Sequence, residues 1–147
     1  FHRHVCQLPD GRLCVPDVNN RSLRVLSISG EALSIVKAPD GMAPRGPACD
    51  SSGGLYAVEA SGQWIHSFPP PGHGTHERTP ARCKCVYGDP DGLDGLLTPD
   101  TCAVADGTLY VSDSGHDRVV VFCAATLTHR LTLGGTPSDS DGHFNRP

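Results

Sequence analysis

The chain repeats one short pattern three times without a gap, and this limits the folds open to it more than any other feature. The first copy reads Asp10-Gly11-Arg12-Leu13-Cys14-Val15-Pro16-Asp17, followed by Arg21-Ser22-Leu23-Arg24-Val25-Leu26. The second reads Ser52-Gly53-Gly54-Leu55-Tyr56-Ala57-Val58-Glu59, followed by Gln63-Trp64-Ile65-His66-Ser67-Phe68. The third reads Asp106-Gly107-Thr108-Leu109-Tyr110-Val111-Ser112-Asp113, followed by Asp117-Arg118-Val119-Val120-Val121-Phe122. Counted from the acidic residue of each copy, an aliphatic side chain stands six positions on (Leu23, Ile65, Val119) and a larger apolar one at nine (Leu26, Phe68, Phe122). Fixed self-similarity of this kind marks a chain built from stacked copies of one supersecondary unit.

The unit reads as a set of antiparallel strands. Asp17 and Glu59 stand 42 residues apart, and Glu59 and Asp113 stand 54 apart. The first spacing matches one four-stranded propeller blade of about 40 to 45 residues. The excess in the second is accounted for by the proline- and glycine-rich stretch from Pro69 to Pro80, which reads as an inserted loop. The expected division is repeat one over 1–40, repeat two over 41–93 with the insertion at 69–82, and repeat three over 94–140. Residues 141–147 would open a fourth repeat.

In repeat three, strands are expected at Cys102–Ala105, Leu109–Ser112, Val119–Cys123 and His129–Leu133, from the innermost outward. Ala32–Lys37 and Cys83–Tyr87 would be the outermost strands of the first two repeats. The carboxylates of Asp17, Glu59 and Asp113 are expected to cap the turn after the second strand by accepting its backbone N–H groups, with Gly115 taking a positive φ. Asn19-Asn20 and Ser61-Gly62 supply similar turn chemistry. Both faces of these strands carry apolar residues, Val119 and Val121 on one side, Val120 and Phe122 on the other, as in a sheet covered on both sides. The fold class is therefore all-β, a β-propeller portion of about three four-stranded antiparallel blades.

These residues resemble the NHL repeat family. Repeat three is the fullest match, with Leu96-x-x-Pro99, the inner Cys102-Ala103-Val104, and then Asp106-Gly107-Thr108-Leu109-Tyr110-Val111-Ser112-Asp113-Ser114-Gly115-His116-Asp117-Arg118-Val119-Val120-Val121-Phe122. Repeat two departs at Glu59 and Trp64, and repeat one at Cys14 and Ser22. The resemblance implies a ring of about six blades, so three blades would leave open sheet edges prone to self-association. It also implies a non-catalytic binding scaffold whose propeller face recognises protein, or RNA as in members that carry a tripartite motif. The alternative it raises is a metal-dependent enzyme similar to the peptidyl-hydroxyglycine lyases. Such a site would need histidines on the innermost strands, where only His4 qualifies. A lactonase-like site would need more channel carboxylates than Asp50.

The remaining candidates are weighed against plainer roles. His73, His76, Cys83 and Cys85 form the one cluster of metal-ligand types, but their spacing fits no familiar zinc module, and a polar loop entering a strand explains them better. Cys6, Cys49 and Cys102 precede the second-strand leucine by six or seven residues. They read as a recurring small apolar packing position, too widely spaced between blades for disulfides. Arg118 is expected to pair within its blade. His116 and Asp117 lie in an exposed turn and, with Arg118, are the candidate contacts to a partner. No cofactor is expected, and no nucleophile elbow or phosphate-binding glycine loop occurs. The formal net charge of −4 argues for protein over nucleic acid as the partner, and no apolar run is long enough to span a membrane.

Overall fold

The computed structural model describes residues 4–38, 43–59, 63–72, 77–78, 82–85, 95–135 and 144–147. In chain order the strands are β1 (Cys6–Gln7), β2 (Leu13–Asp17), β3 (Ser22–Leu26), β4 (Ala32–Lys37), β5 (Pro44–Cys49), β6 (Leu55–Glu59), β7 (Trp64–Phe68), β8 (Glu77–Arg78), β9 (Arg82–Cys85), β10 (Pro99–Ala105), β11 (Thr108–Asp113), β12 (Arg118–Cys123) and β13 (His129–Gly134). They form three sheets, in the orders β1-β2-β3-β4-β8, β5-β6-β7-β9 and β10-β11-β12-β13. Within each sheet the four principal strands pair antiparallel with their sequence neighbours. Three successive four-stranded meanders packed face to face are three blades of a β-propeller, hereafter blades 1 to 3. Among the described residues no helix is long and apolar enough to cross a membrane.

Two expectations about strands need correction. The insertion at 69–82 is not loop throughout, because Glu77–Arg78 pairs in parallel with Ile35 and Val36 and extends blade 1 by a fifth strand. The outer edge of β4 offers unpaired backbone groups, and a two-residue strand satisfies some of them. The start of the same insertion also bridges blades 1 and 2, since Arg12 donates to the carbonyls of Pro71 and Gly72 at 2.8 and 3.0 Å. The outermost strand of blade 2 begins at Arg82, one residue before the expected Cys83, and is described over Arg82–Cys85; residues 86 and 87 of the expected strand lie outside the described set.

The core lies between the blades, and strand alternation decides which residue faces which neighbour. On β6, Leu55 and Ala57 point toward blade 1 and pack with Leu8, Cys14, Leu23, Val25 and Val36. Tyr56 and Val58 point the other way and pack with Leu109, Val111, Val120 and Phe122 of blade 3. Every residue of β6 is buried, as expected of a strand covered on both faces. In blade 3 only the face toward blade 2 is so covered. On its other face Tyr110, Leu131 and Leu133 remain 40%, 46% and 45% exposed.

Blade 2 also buries an ionisable ring. His66 is fully buried, with its imidazole stacked on Phe68 at a centroid distance of 6.0 Å. Burial pushes its pKa below the usual histidine value, and the charge of Glu59 opposes this in part. The folded state therefore disfavours the proton that the unfolded chain accepts. The resulting stability is complete above the unfolded value of about 6.5 and is lost as pH falls below it. Between pH 7.5 and 5.5 this group is expected to remove up to about 1 kcal/mol. Urea midpoints at the two pH values check this, and His66→Gln should flatten the difference.

Candidate functional site

The turns after β2 and β11 share one construction. Each acidic residue ends its strand, a short 3₁₀ turn follows, and the fourth residue after the acid takes the left-handed conformation, Arg21 at φ 54° and Asp117 at φ 51°. The left-handed residue is thus Asp117 and not Gly115. Gly115 is required for space: a Cβ there would lie 2.5 Å from both the carbonyl oxygen and Cγ of Leu97, and the Gly115 N–H donates to that same oxygen at 2.9 Å.

Asp113 acts differently from a simple cap, for its side chain makes no cap hydrogen bond to its own turn. Asp113 is fully buried and accepts from the Leu97 N–H at 2.6 Å, Arg118 Nε at 2.7 Å and His116 Nδ1 at 2.8 Å. Arg118 also donates to the Gly95 carbonyl at 2.5 Å. The pair therefore staples the loop entering blade 3 to the turn after β11. In blade 1 Asp17 accepts from Asn20 Nδ2 at 2.8 Å and Arg24 Nε at 2.5 Å. These two partners hold its carboxyl below the usual range. Ser22 occupies the place of Arg118 there, and Arg24, two residues on and so on the same strand face, supplies the missing guanidinium. Glu59 ends β6 in the corresponding place and is buried.

A cleft of about 630 Å³ opens on this same side of the blades. It draws residues from every blade. His4 precedes β1, Arg45 lies on β5, Asp100 and Thr101 lie on β10, and Thr98 and Ser114 come from the loop and turn that the Asp113 staple joins. Arg146 and Pro147 close it. Ser114 Oγ donates to the Pro147 carbonyl at 2.8 Å, and the Arg146 N–H donates to Asp117 Oδ1 at 2.9 Å. Arg146 matches Thr98 of the preceding blade, since each stands directly before a proline and each has positive φ, 53° and 49°. Two arginines and a histidine thus line the cleft with one aspartate, in a chain whose net charge is −4. Among the described residues neither Arg45 nor Arg146 is engaged in an ion pair.

The turn residues singled out as contacts, His116, Asp117 and Arg118, are half-buried rather than exposed. They do not line the cleft; Asp117 supports its rim through Arg146, and the other two bind Asp113. Arg45 and Arg146 were not singled out, and their one signal was position: Arg45 follows Pro44, and Arg146 precedes Pro147. Asp50 is committed to its own turn. Its carboxylate accepts from Ser52 Oγ at 2.6 Å, the Ser52 and Gly54 N–H groups at 2.9 Å and Tyr56 Oη at 3.1 Å. Burial works against its ionisation, and these bonds outweigh burial to leave its pKa lowered.

Of the metal candidates, His73 and His76 lie outside the described residues, as do the side chains of Cys83 and Cys85. Among the described residues no group of three or more ligating side chains is placed to hold a metal ion. The three inner-strand cysteines do not share one packing position. Cys6 lies opposite Cys14, Cys49 opposite Leu55, and Cys102 opposite Val111. Unequal turn lengths after the inner strands shift the register, so equal counts along the chain reach different rungs. Cys102 packs between blades 2 and 3 and donates to the Gly46 carbonyl at 3.1 Å. Cys6 and Cys49 meet between blades 1 and 2.

No protein-family model matches the chain, and no curated protein matches it. Solved structures do. Virginiamycin B lyase from Staphylococcus aureus aligns with a TM-score of 0.67 at 15% identity, over 95% of this chain and 42% of that one. Hydrazine synthase from Kuenenia stuttgartiensis gives 0.66 at 14% identity, over 88% of this chain and 34% of that one. Myxococcus xanthus glutaminyl cyclase gives 0.61 at 15% identity, over 84% and 46%. The chain spans between a third and a half of the length of these structures. Identities this low establish likeness of fold, and the fold is the propeller already described.

Proposed function

We propose that the chain forms part of an NHL-type propeller that acts as a non-catalytic binding scaffold, with the cleft taking an acidic segment of a protein partner. The observation that carries this reading is the presence of both Arg45 and Arg146 among the residues lining one cleft, together with residues from the other blades. A planar guanidinium holds a carboxylate by two parallel hydrogen bonds, and two of them on a preformed rim favour an extended acidic peptide. The hydroxyls of Thr98, Thr101 and Ser114 add neutral donors beside them. Rigid strands with short turns present these groups with little ordering cost. Structures of similar fold include a lyase and a cyclase by name, and a propeller serves either use; the chemistry of this cleft favours holding an anion.

Fluorescence anisotropy with a labelled Glu/Asp-rich peptide, a neutral peptide of equal length and a single-stranded RNA tests the reading. The acidic peptide should bind, weaken with salt, and lose at least about tenfold in affinity in Arg45→Glu/Arg146→Glu, roughly the worth of one charge-assisted contact. Equal binding of the neutral peptide would overturn the charge argument. Tighter binding of RNA, abolished by the same variant, would transfer the cleft to a phosphate backbone.

A further inference from the structure

Three thiols converge where blade 1 meets blade 2. Cys6 on β1 and Cys14 on β2 are direct partners in antiparallel register, so their side chains leave the sheet on one face. That face packs against Leu55, Ala57 and Phe68 of blade 2, and Cys49 joins the same cluster from β5. Direct antiparallel partners stand about 4.5 to 5.5 Å apart at Cα. This lies inside the span that a disulfide bridges without backbone movement. All three sulfurs are free thiols in this structure.

Their accessibility differs. Cys14 is fully buried, whereas Cys6 is partly exposed and lines a cavity of about 330 Å³ along the inner strands. The thiols of Cys14 and Cys49 are close enough to Cys6 for hydrogen bonding to favour its thiolate. Cys14 contributes most; burial opposes, and Cys49 adds to the lowering. Cys14 is correspondingly pushed up, first by that same bond and then by burial. Cys49 is pushed up to about 11, chiefly by burial. Cys6 and Cys49 both line the cavity, and the buried Cys14 stands directly opposite Cys6 in register.

We infer that Cys6 and Cys14 form a reversible disulfide driven by a peroxide. The Cys6 thiolate attacks one oxygen of hydrogen peroxide, the O–O bond breaks, and the departing hydroxide takes a proton to become water. Cys6 is then a sulfenic acid. The Cys14 sulfur attacks the Cys6 sulfur, the S–O bond breaks, and the hydroxyl leaves with the Cys14 proton as a second water. Two thiols are oxidised to one disulfide, and one peroxide is reduced to two waters. The bond clamps the two-residue β1 to β2. His4, two residues before Cys6 and on the rim of the cleft, is thereby tethered more closely. The inference rests on strand register and stands apart from the binding reading.

The full chain is treated with hydrogen peroxide, alkylated without reduction and digested with trypsin. The intact mass is expected to fall by about 2 Da per bond formed. The digest should contain the peptide His4–Arg12 joined to Leu13–Arg21, released by dithiothreitol. Cys123 is lowered to about 7 by the side-chain and backbone groups of Thr126 and will also react, so the peptide map and not the total thiol count is the readout. Cys49→Ala should retain the link, and Cys6→Ser should lose it entirely. In Cys14→Ala a sulfenic acid should accumulate on Cys6 and be trapped by dimedone. Should that core variant fail to fold, the first two variants still decide the matter. Absence of the His4–Arg12 to Leu13–Arg21 link in the wild-type chain, or a link from Cys6 to Cys49 in its place, would overturn the inference.

Discussion

Replacing Asp113 by alanine is expected to destabilise the chain by about 3–5 kcal/mol, the usual consequence of leaving a buried ionic partner uncompensated. The carboxylate is fully buried and satisfies the Leu97 N–H, His116 and Arg118 together. Its loss leaves the Arg118 guanidinium, itself only 11% exposed, without the carboxylate that balances its charge. For a domain of this size the melting temperature should fall by roughly 10 °C or more. Asp17→Ala is the internal comparison. Asp17 and Arg24 are 22% and 39% exposed, so their pair is screened and worth about 1 kcal/mol or less. Thermal and urea unfolding of the two variants side by side measures the contrast. Equal small effects would mean that the Asp113 staple is not a structural joint.

The second large effect is expected at Gly46, where the inner strands of blades 2 and 3 touch. Gly46 has φ of +48°, and a Cβ there would lie 2.3 Å from Thr101 Cα and 2.6 Å from the Asp100 carbonyl oxygen. These are backbone atoms of β10, so no side-chain rotation relieves the clash. The Cys102 thiol also bonds the Gly46 carbonyl and fixes the approach. Gly46→Ala combines a disfavoured backbone conformation with overpacking, and about 3 kcal/mol is expected. Because Arg45 and Thr101 flank the contact and line the cleft, the same variant should weaken acidic-peptide binding. Equilibrium unfolding and the anisotropy titration report the two losses separately. An unchanged urea midpoint would mean that the blades can separate here at no cost.

The strands of blade 3 were legible because their turn chemistry is explicit. Asp106-Gly107 closes one hairpin, and the left-handed Asp106 and Gly107 permit it. The alternation of Leu109, Val111 and Asp113 against Tyr110 and Ser112 assigns the faces, and burial follows it. The fifth strand of blade 1 was not legible, since two residues inside a proline- and glycine-rich stretch carry no period. The cysteine equivalence failed for a similar reason: residue counts ignore a one-residue difference in turn length, and register does not. The cleft was harder still. Arg45 and Arg146 lie 101 positions apart and line one cleft only because successive blades pack side by side. The turn residues of the repeat drew attention because they recur, and in blade 3 they form the staple at Asp113. The proposed binding residues sit where the repeats differ.

Hydrogen exchange followed by mass spectrometry on the intact chain tests most directly the claim that the blades are held by shared cores between them. Blade 2 is covered on both faces, and blade 3 on one. The account predicts slowest exchange together in β6, β7, β11 and β12, with β13 exchanging faster because Leu131 and Leu133 stand open. Fast exchange in β6 and β7, or protection of one blade with no dependence on its neighbours in Gly46→Ala, would contradict it.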